Sequence, residues 1–181
     1  MNNYELIKEE LRKVITPETV FACVGTNKVI FDTFGPLCGE LLKQKGIPYY
    51  GDFDDNINSV TMSRKLHEIY KKDKRRNANI VAIDAAVTEE NNKVNKMEFK
   101  DRGVKPGAGV GKNFPMIGDN SILLFTLNRE DLNTTIQYYR KGNYIGRKKD
   151  LSDREVIKNN AKILTDIIAE IYNEVCGVKN C

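Results

Sequence analysis

The stretch NIVAIDAAV (79–87) constrains the fold of this 181-residue chain more than any other. It is a continuous apolar run carrying a single acid. That pattern fits a strand buried on both faces, and such strands belong to parallel sheets covered by helices on either side. VFACVG (20–25) and SILLFTL (121–127) repeat it. IPYYGDF (47–53) can form another strand, and the more polar KVNKMEFKDR (93–102) reads as an edge strand or hairpin arm.

Between these runs the spacing becomes helical. GPLCGELLKQKG puts Leu37, Leu41 and Leu42 on one side and stops at Gly46. NSVTMSRKLHEIYKKDK places Val60, Met62, Leu66, Ile69 and Tyr70 together, with Asn58 or Ser59 as cap. LSDREVIKNNAKILTDIIAEIYNEV (151–175) is a long amphipathic helix. Ser152 and Glu155 fit its capping box, and Val156, Ile163, Ile167, Ile168 and Ile171 form its apolar side. Residues 129–150 are assigned to neither pattern. Strands alternating with helices predict one three-layer α/β/α domain over 1–181, with a mostly parallel sheet.

Composition narrows the function. Apolar residues at 40% and charged residues at 30% fit a folded, soluble chain. The net charge of +4 is spread too thinly for a nucleic-acid footprint, which needs a concentrated basic face, so no direct nucleic-acid binding is expected. KKDKRR (71–76) reads as a helix end, where cations complement exposed carbonyls. RKGNYIGRKK (140–149), interleaved with Tyr138, Tyr139 and Tyr144, reads as a basic surface loop that could also hold an acidic partner.

No run approaches the roughly 20 apolar residues of a membrane span. MNNYELIKEELRKVI is an amphipathic helix pattern rather than a signal peptide. A cytoplasmic location without membrane attachment follows as the expectation. Cys23, Cys38, Cys176 and Cys181 show no CxxC spacing and are expected to be reduced. Cys181 is last, whereas a prenylation box places its cysteine four from the end. With His67 the only histidine, a zinc site is not expected.

Two acids stand out. Asp84 lies inside the most apolar strand, where an unpaired carboxylate is expensive. It is either a strand-end acid accepting bonds from loop amides or a functional group. Asp32, in FDTFGPLCGELL, is either a helix-start acid or half of an active site. In open α/β sheets ligands sit beyond the carboxyl ends of the strands, so both acids could converge on one rim. Two carboxylates there can share a proton, giving one acid and one base to activate water. They could equally ligate a metal, with Asp119 of IGDNS as a third polar group, although no cofactor is expected.

GVKPGAGVGKNFPMIGDNS (103–121) is the long glycine-rich loop. It is not a Walker loop, which needs a glycine where Pro106 stands and Ser or Thr where Asn113 stands. Gly107, Gly109 and Gly111 would instead let the backbone approach a substrate closely.

The ordered set VGT…FDTFGPL, YYGDFDDNINSV, IVAIDAAV and VKPGAGVGKNFPMIGDNSI, across residues 19–128, resembles the YyaC-type sporulation proteins of spore-forming bacteria. More distantly it is similar to the germination (spore) protease, and in fold to hydrogenase maturation peptidases. In the spore protease family an Asp shortly before Gly-Pro and an Asp in an IDA strand are the catalytic acids. The resemblance therefore implies Asp32 and Asp84 as a catalytic pair, and a phosphorylase/hydrolase-like fold of the peptidase type. Hydrogenase maturation peptidases have an acid where Thr33 stands and add a histidine that is missing after Asp84, so a nickel-dependent mechanism is not implied.

The expectation is an aspartate-dependent peptidase in the cytoplasm of the spore or sporulating cell. It would act on a protein or peptide substrate and could self-associate. The alternative is a non-catalytic sporulation factor that binds a peptide or protein, in which the two acids would be separated or held by lysine or arginine.

Overall fold

A computed structural model describes residues 3–73, 78–107, 113–140 and 148–177, with the backbone alone at 136–140 and 148–152. Five strands form one sheet in the order β2-β1-β3-β5-β4. They are β1 (Val20–Cys23), β2 (Tyr49–Tyr50), β3 (Ile80–Thr88), β4 (Met97–Lys100) and β5 (Asn120–Asn128). All pairings are parallel except that of β4, an antiparallel edge strand on β5. The apolar runs thus become the buried strands they resemble, while IPYYGDF contributes only Tyr49 and Tyr50.

Side chains alternate between two apolar layers. Phe21, Cys23, Val81, Ile83, Ile122 and Leu124 face the layer that includes helices α1 (Asn3–Val14), α2 (Phe34–Gln44) and α5 (Lys148–Cys176). Ala22, Val24, Ile80 and Ala82 face the layer that includes Ile57, Val104, Ile117 and the residues Met62 and Ile69 of α3 (Met62–Lys72). Helix α4 (Arg129–Arg140) follows β5, filling a stretch whose sequence showed neither period. The three-layer α/β/α sandwich is the expected architecture.

Three helix readings shift. Val60 does not join the apolar side of α3: it precedes the helix and is 89% exposed. Neither Asn58 nor Ser59 is the cap: the N-cap position is Thr61, with no side-chain cap, and the Asn58 side-chain oxygen accepts from the N–H groups of Val60 (2.9 Å) and Thr61 (3.3 Å) in the turn before the helix. Helix α5 starts at Lys148, so Ser152 lies inside it rather than at its start. Its buried stripe is Ile157, Ala161, Leu164, Ile168 and Ile171, with Val156, Ile163 and Ile167 only half-buried. The stripe with alternating spacings of four and three keeps facing the sheet side, and its apolar neighbours flank it.

The contact that positions everything at the carboxyl end of β1 is made by backbone. A β-carbon at Gly35 would lie 2.0 Å from the carbonyl oxygen of Val24, and one at Gly39 would lie 1.9 Å from that of Gly51. Helix α2 therefore rests on the ends of β1 and β2 with no side chain between them. Overpacking of such a contact typically costs about 1–3 kcal/mol and sometimes more. Gly39→Ala is expected to destabilise the fold by at least that amount in denaturant unfolding, whereas an exposed-site control such as Ser63→Ala stays within about 0.5 kcal/mol. Equal midpoints for the two variants would show that α2 does not sit this close.

Candidate active site

The strand order sets the location. The chain leaves β1 toward β2 on one side and leaves β3 toward β4 and β5 on the other, so the order switches between β1 and β3. The crevice outside the carboxyl ends of two such strands is where open α/β sheets bind ligands.

Asp32 reaches this crevice from the β1–α2 connection. It ends a single 3₁₀ turn, Ile30–Asp32, and all three carbonyls of the turn are bonded. The Ile30 carbonyl accepts from the hydroxyl (2.7 Å) and N–H (3.1 Å) of Thr33. The Phe31 carbonyl accepts from the Thr126 hydroxyl at 2.9 Å, and the Asp32 carbonyl from the Thr26 N–H at 2.9 Å. Gly25 makes room for this turn. A β-carbon there would meet the Asp32 carbonyl oxygen at 2.2 Å, and its φ of +140° suits glycine.

The helix-start role of Asp32 is not what is seen. The N-cap position of α2 is Thr33, and its side chain turns back to Ile30 instead of capping. Asp84 lies where β1 stops pairing with β3 (Cys23 opposite Ile83), and β3 continues beside β5 to Thr88. It is 6% exposed, and one carboxylate oxygen accepts the N–H of Ala85 at 2.8 Å.

The two carboxyls feel each other. Burial pushes Asp84 well above the ordinary 3.8, and the charge of Asp32 pushes it further, against a smaller lowering by the Ala85 N–H. Burial raises Asp32 to about 7, against a lowering by the Thr26 amide. Neither acid forms an ion pair with lysine or arginine among the described residues. Both carboxyls are therefore held above the ordinary carboxylate range, Asp84 being the better buried of the two.

The remaining sequence candidates fall elsewhere. Asp119 is at the opposite rim, before the start of β5. Its carboxylate accepts the N–H of Ile80 at 2.9 Å and its N–H donates to the Ile80 carbonyl at 2.7 Å. It ties the amino ends of β3 and β5 together, so an Asp32–Asp84–Asp119 ligand set does not form. A simple turn acid is what the structure gives. Gly107 follows the Val104–Ile117 bridge at the base of the glycine-rich loop, and Gly109 and Gly111 lie outside the described residues. Of the segment 138–149 only backbone is described, at 138–140 and 148–149. His67 is exposed on α3.

Two features were not legible. Thr126 carries no catalytic signature, and only its partner Phe31 reveals its place. Glu40, Asp52 and Asp54 bring carboxylate oxygens within 4.8 Å of one another. Asp52 is already satisfied by the Tyr49 hydroxyl (2.8 Å), Lys43 (3.3 Å) and the N–H groups of Asp54 and Asp55, and Glu40 accepts the Phe53 N–H. The GDFDD of the sequence was the available sign of this turn. A groove of about 620 Å³ between α2 and α5, lined by Leu37, Leu41, Lys45, Lys158, Lys162 and Asp166 among others, includes neither aspartate.

Sheet and switch point define an α/β/α protein with one buried and one half-buried carboxyl at the strand ends. The chain belongs to the family described as "Protein of unknown function (DUF1256)", whose model matches residues 1–139. It is 34% identical over 117 residues to "Uncharacterized protein YyaC" of Bacillus subtilis (strain 168), a match over 63% of this chain. The chain spans 56% of the length of that relative. The YyaC-type assignment read from the motifs is thus upheld.

Linkage gives a pH test. A carboxyl whose folded pKa lies above its unfolded one contributes stability that is full below the unfolded value and lost as pH rises through the folded value. For Asp32 that window runs from 3.8 to about 7, and Asp84 acts in the same direction. Asp32→Asn should raise stability at pH 8 by up to about 4 kcal/mol, at about 1.4 kcal/mol for each pH unit of the window, and by little at pH 4. Urea midpoints at the two pH values check this, and an equal change at both would contradict a raised Asp32.

Proposed function

We propose that this chain is an aspartate-dependent peptidase with Asp32 and Asp84 as its catalytic pair. The observation that carries the reading is a buried pair of mutually repelling carboxyls, free of basic partners among the described residues, at the switch point of the sheet. Groups poised in this way, one ionised and one protonated near neutrality, are suited to activating water.

In this mechanism the Asp32 carboxylate takes a proton from water as the water oxygen adds to the scissile carbonyl carbon. The Asp84 carboxyl gives its proton to the carbonyl oxygen. Collapse of the tetrahedral intermediate breaks the C–N bond. The proton held by Asp32 then passes to the leaving amine, and the hydroxyl proton returns to Asp84. Asp32 is the outer of the two and Asp84 the buried one, so substrate reaches the pair from the Asp32 side. The setting in a sporulating cell, the cytoplasmic location and a small protein or peptide substrate rest on the resemblance to YyaC-type sporulation proteins. The non-catalytic alternative calls for acids that are separated or held by lysine or arginine; the charge of Asp32 acts on Asp84, and neither pairs with a basic residue among the described residues.

The test is cleavage of a panel of small, flexible spore-type proteins by the wild type, Asp32→Asn and Asp84→Asn. The wild type is expected to cut, with each variant slower by about 10²–10⁴-fold, the usual contribution of a positioned acid or base. Its rate is expected to rise with pH as Asp32 ionises near 7. Cleavage that persists in the double variant would assign the activity elsewhere. Absence of cleavage by folded wild type across pH would favour the binding role.

A further inference from the structure

Strand β5 carries one residue more than β3 where the two run side by side. Ala86 pairs with Phe125 and Val87 with Leu127, so Thr126 has no partner in the ladder. A bulge of this kind re-aims the extra side chain. The Thr126 side chain is 7% exposed, and its hydroxyl donates to the Phe31 carbonyl at 2.9 Å, a contact between residues 95 apart in sequence.

This bond differs from the others in the turn that carries Asp32. The carbonyls of Ile30 and Asp32 are satisfied by Thr33 and Thr26, both within the same β1–α2 connection. They close the turn on itself and say nothing of where it sits. The Phe31 carbonyl is bound from β5, the strand paired with β3, and β3 is the strand that presents Asp84. The Thr126 hydroxyl is thus the polar link that registers the Asp32 turn against the sheet. The charged group acting on Asp84 is Asp32, from the β1–α2 connection, and the Thr26 amide acts on Asp32 from the same connection.

We propose that Thr126 is a positioning residue of the candidate active site: its hydroxyl, turned inward by the bulge, holds the Asp32 turn against β5, the neighbour of the strand that carries Asp84. The proposal rests on the reading of that pair as the site of chemistry. It assigns Thr126 no contact with substrate.

The experiment is carboxyl ¹³C NMR titration of Asp32 and Asp84 in the full chain, for the wild type, Thr126→Val and Thr126→Ser. Thr126→Val keeps the shape and loses the hydroxyl. It is expected to move the Asp32 midpoint from about 7 toward the ordinary carboxylate range and to weaken its dependence on the ionisation of its partner, while Thr126→Ser keeps the wild-type profile. A Thr126→Val titration that superimposes on the wild type overturns the proposal. Should that variant not fold, the wild type alone decides through the Thr126 hydroxyl proton: slow exchange with solvent is expected, and fast exchange overturns the proposal.

Cleavage measured on the same samples separates the two ideas. A wild type that cuts nothing, with a titration that still responds to Thr126→Val, removes the peptidase reading and leaves the positioning role. A wild type that cuts, with rate and titration unchanged in Thr126→Val, removes the positioning role alone.

Discussion

The backbone contact between the end of β1 and the start of α2 is the constraint on which the rest of the molecule depends. With Gly35 against the Val24 carbonyl and Gly25 against that of Asp32, the connection cannot leave the sheet as an open loop. It must fold into a tight excursion that begins and ends on β1. Its last turn lies by the crevice between β1 and β3, with the Phe31 carbonyl bound by Thr126 of β5. Asp32 ends that turn. The glycines that look like helix punctuation in the sequence are therefore what brings the acid to the switch point, and the proline after Gly35 fits because a first-turn N–H has no helical acceptor to lose.

Burial of two carboxyls at that point works against folding whenever either is ionised. The chain tolerates this because the surrounding contacts are rigid: the three carbonyls of the Asp32 turn are all bonded, and β3 around Asp84 is held between β1 and β5. Carboxyls held in this way give up stability at neutral pH. The proposed proton transfer would draw on that same cost.

Much of the fold was legible because burial on both faces leaves a continuous apolar run, and β1, β3 and β5 each carry one. Strand β2 was overdrawn since two residues of pairing leave no periodic trace. Helix α5 was found but its stripe was misphased, because Ile163, Ile167 and their neighbours are apolar on both sides of the buried line and the sequence offers no sharp polar edge. Asp32 and Asp84 were legible as a pair through strand-end logic and motif resemblance. Asp119 was misplaced because a glycine-rich loop and an acid look alike at either rim, and only the antiparallel course of β4 shows that the chain re-enters the sheet at its amino end. Thr126 was invisible, since a bulge is a relation between two strands and no single strand encodes it.

What separates the pair from other buried or half-buried acids is how the chain treats them. Asp52 is pushed up by burial, yet the bonds from the Asp55 N–H, the Tyr49 hydroxyl, Lys43 and the Asp54 N–H outweigh that and hold it low. The exposed Asp55 is also held low, by Lys65 and Arg64. Asp73 accepts the Tyr50 hydroxyl at 2.6 Å. Each of these acids stands beside a donor that compensates its charge, which is how a framework carboxylate is made harmless. Among the described residues Asp32 and Asp84 receive one backbone amide each, and the charge bearing on Asp84, that of Asp32, has the same sign. Two acids with no basic partner among the described residues, at the switch point of the sheet, suit the proton transfer proposed above.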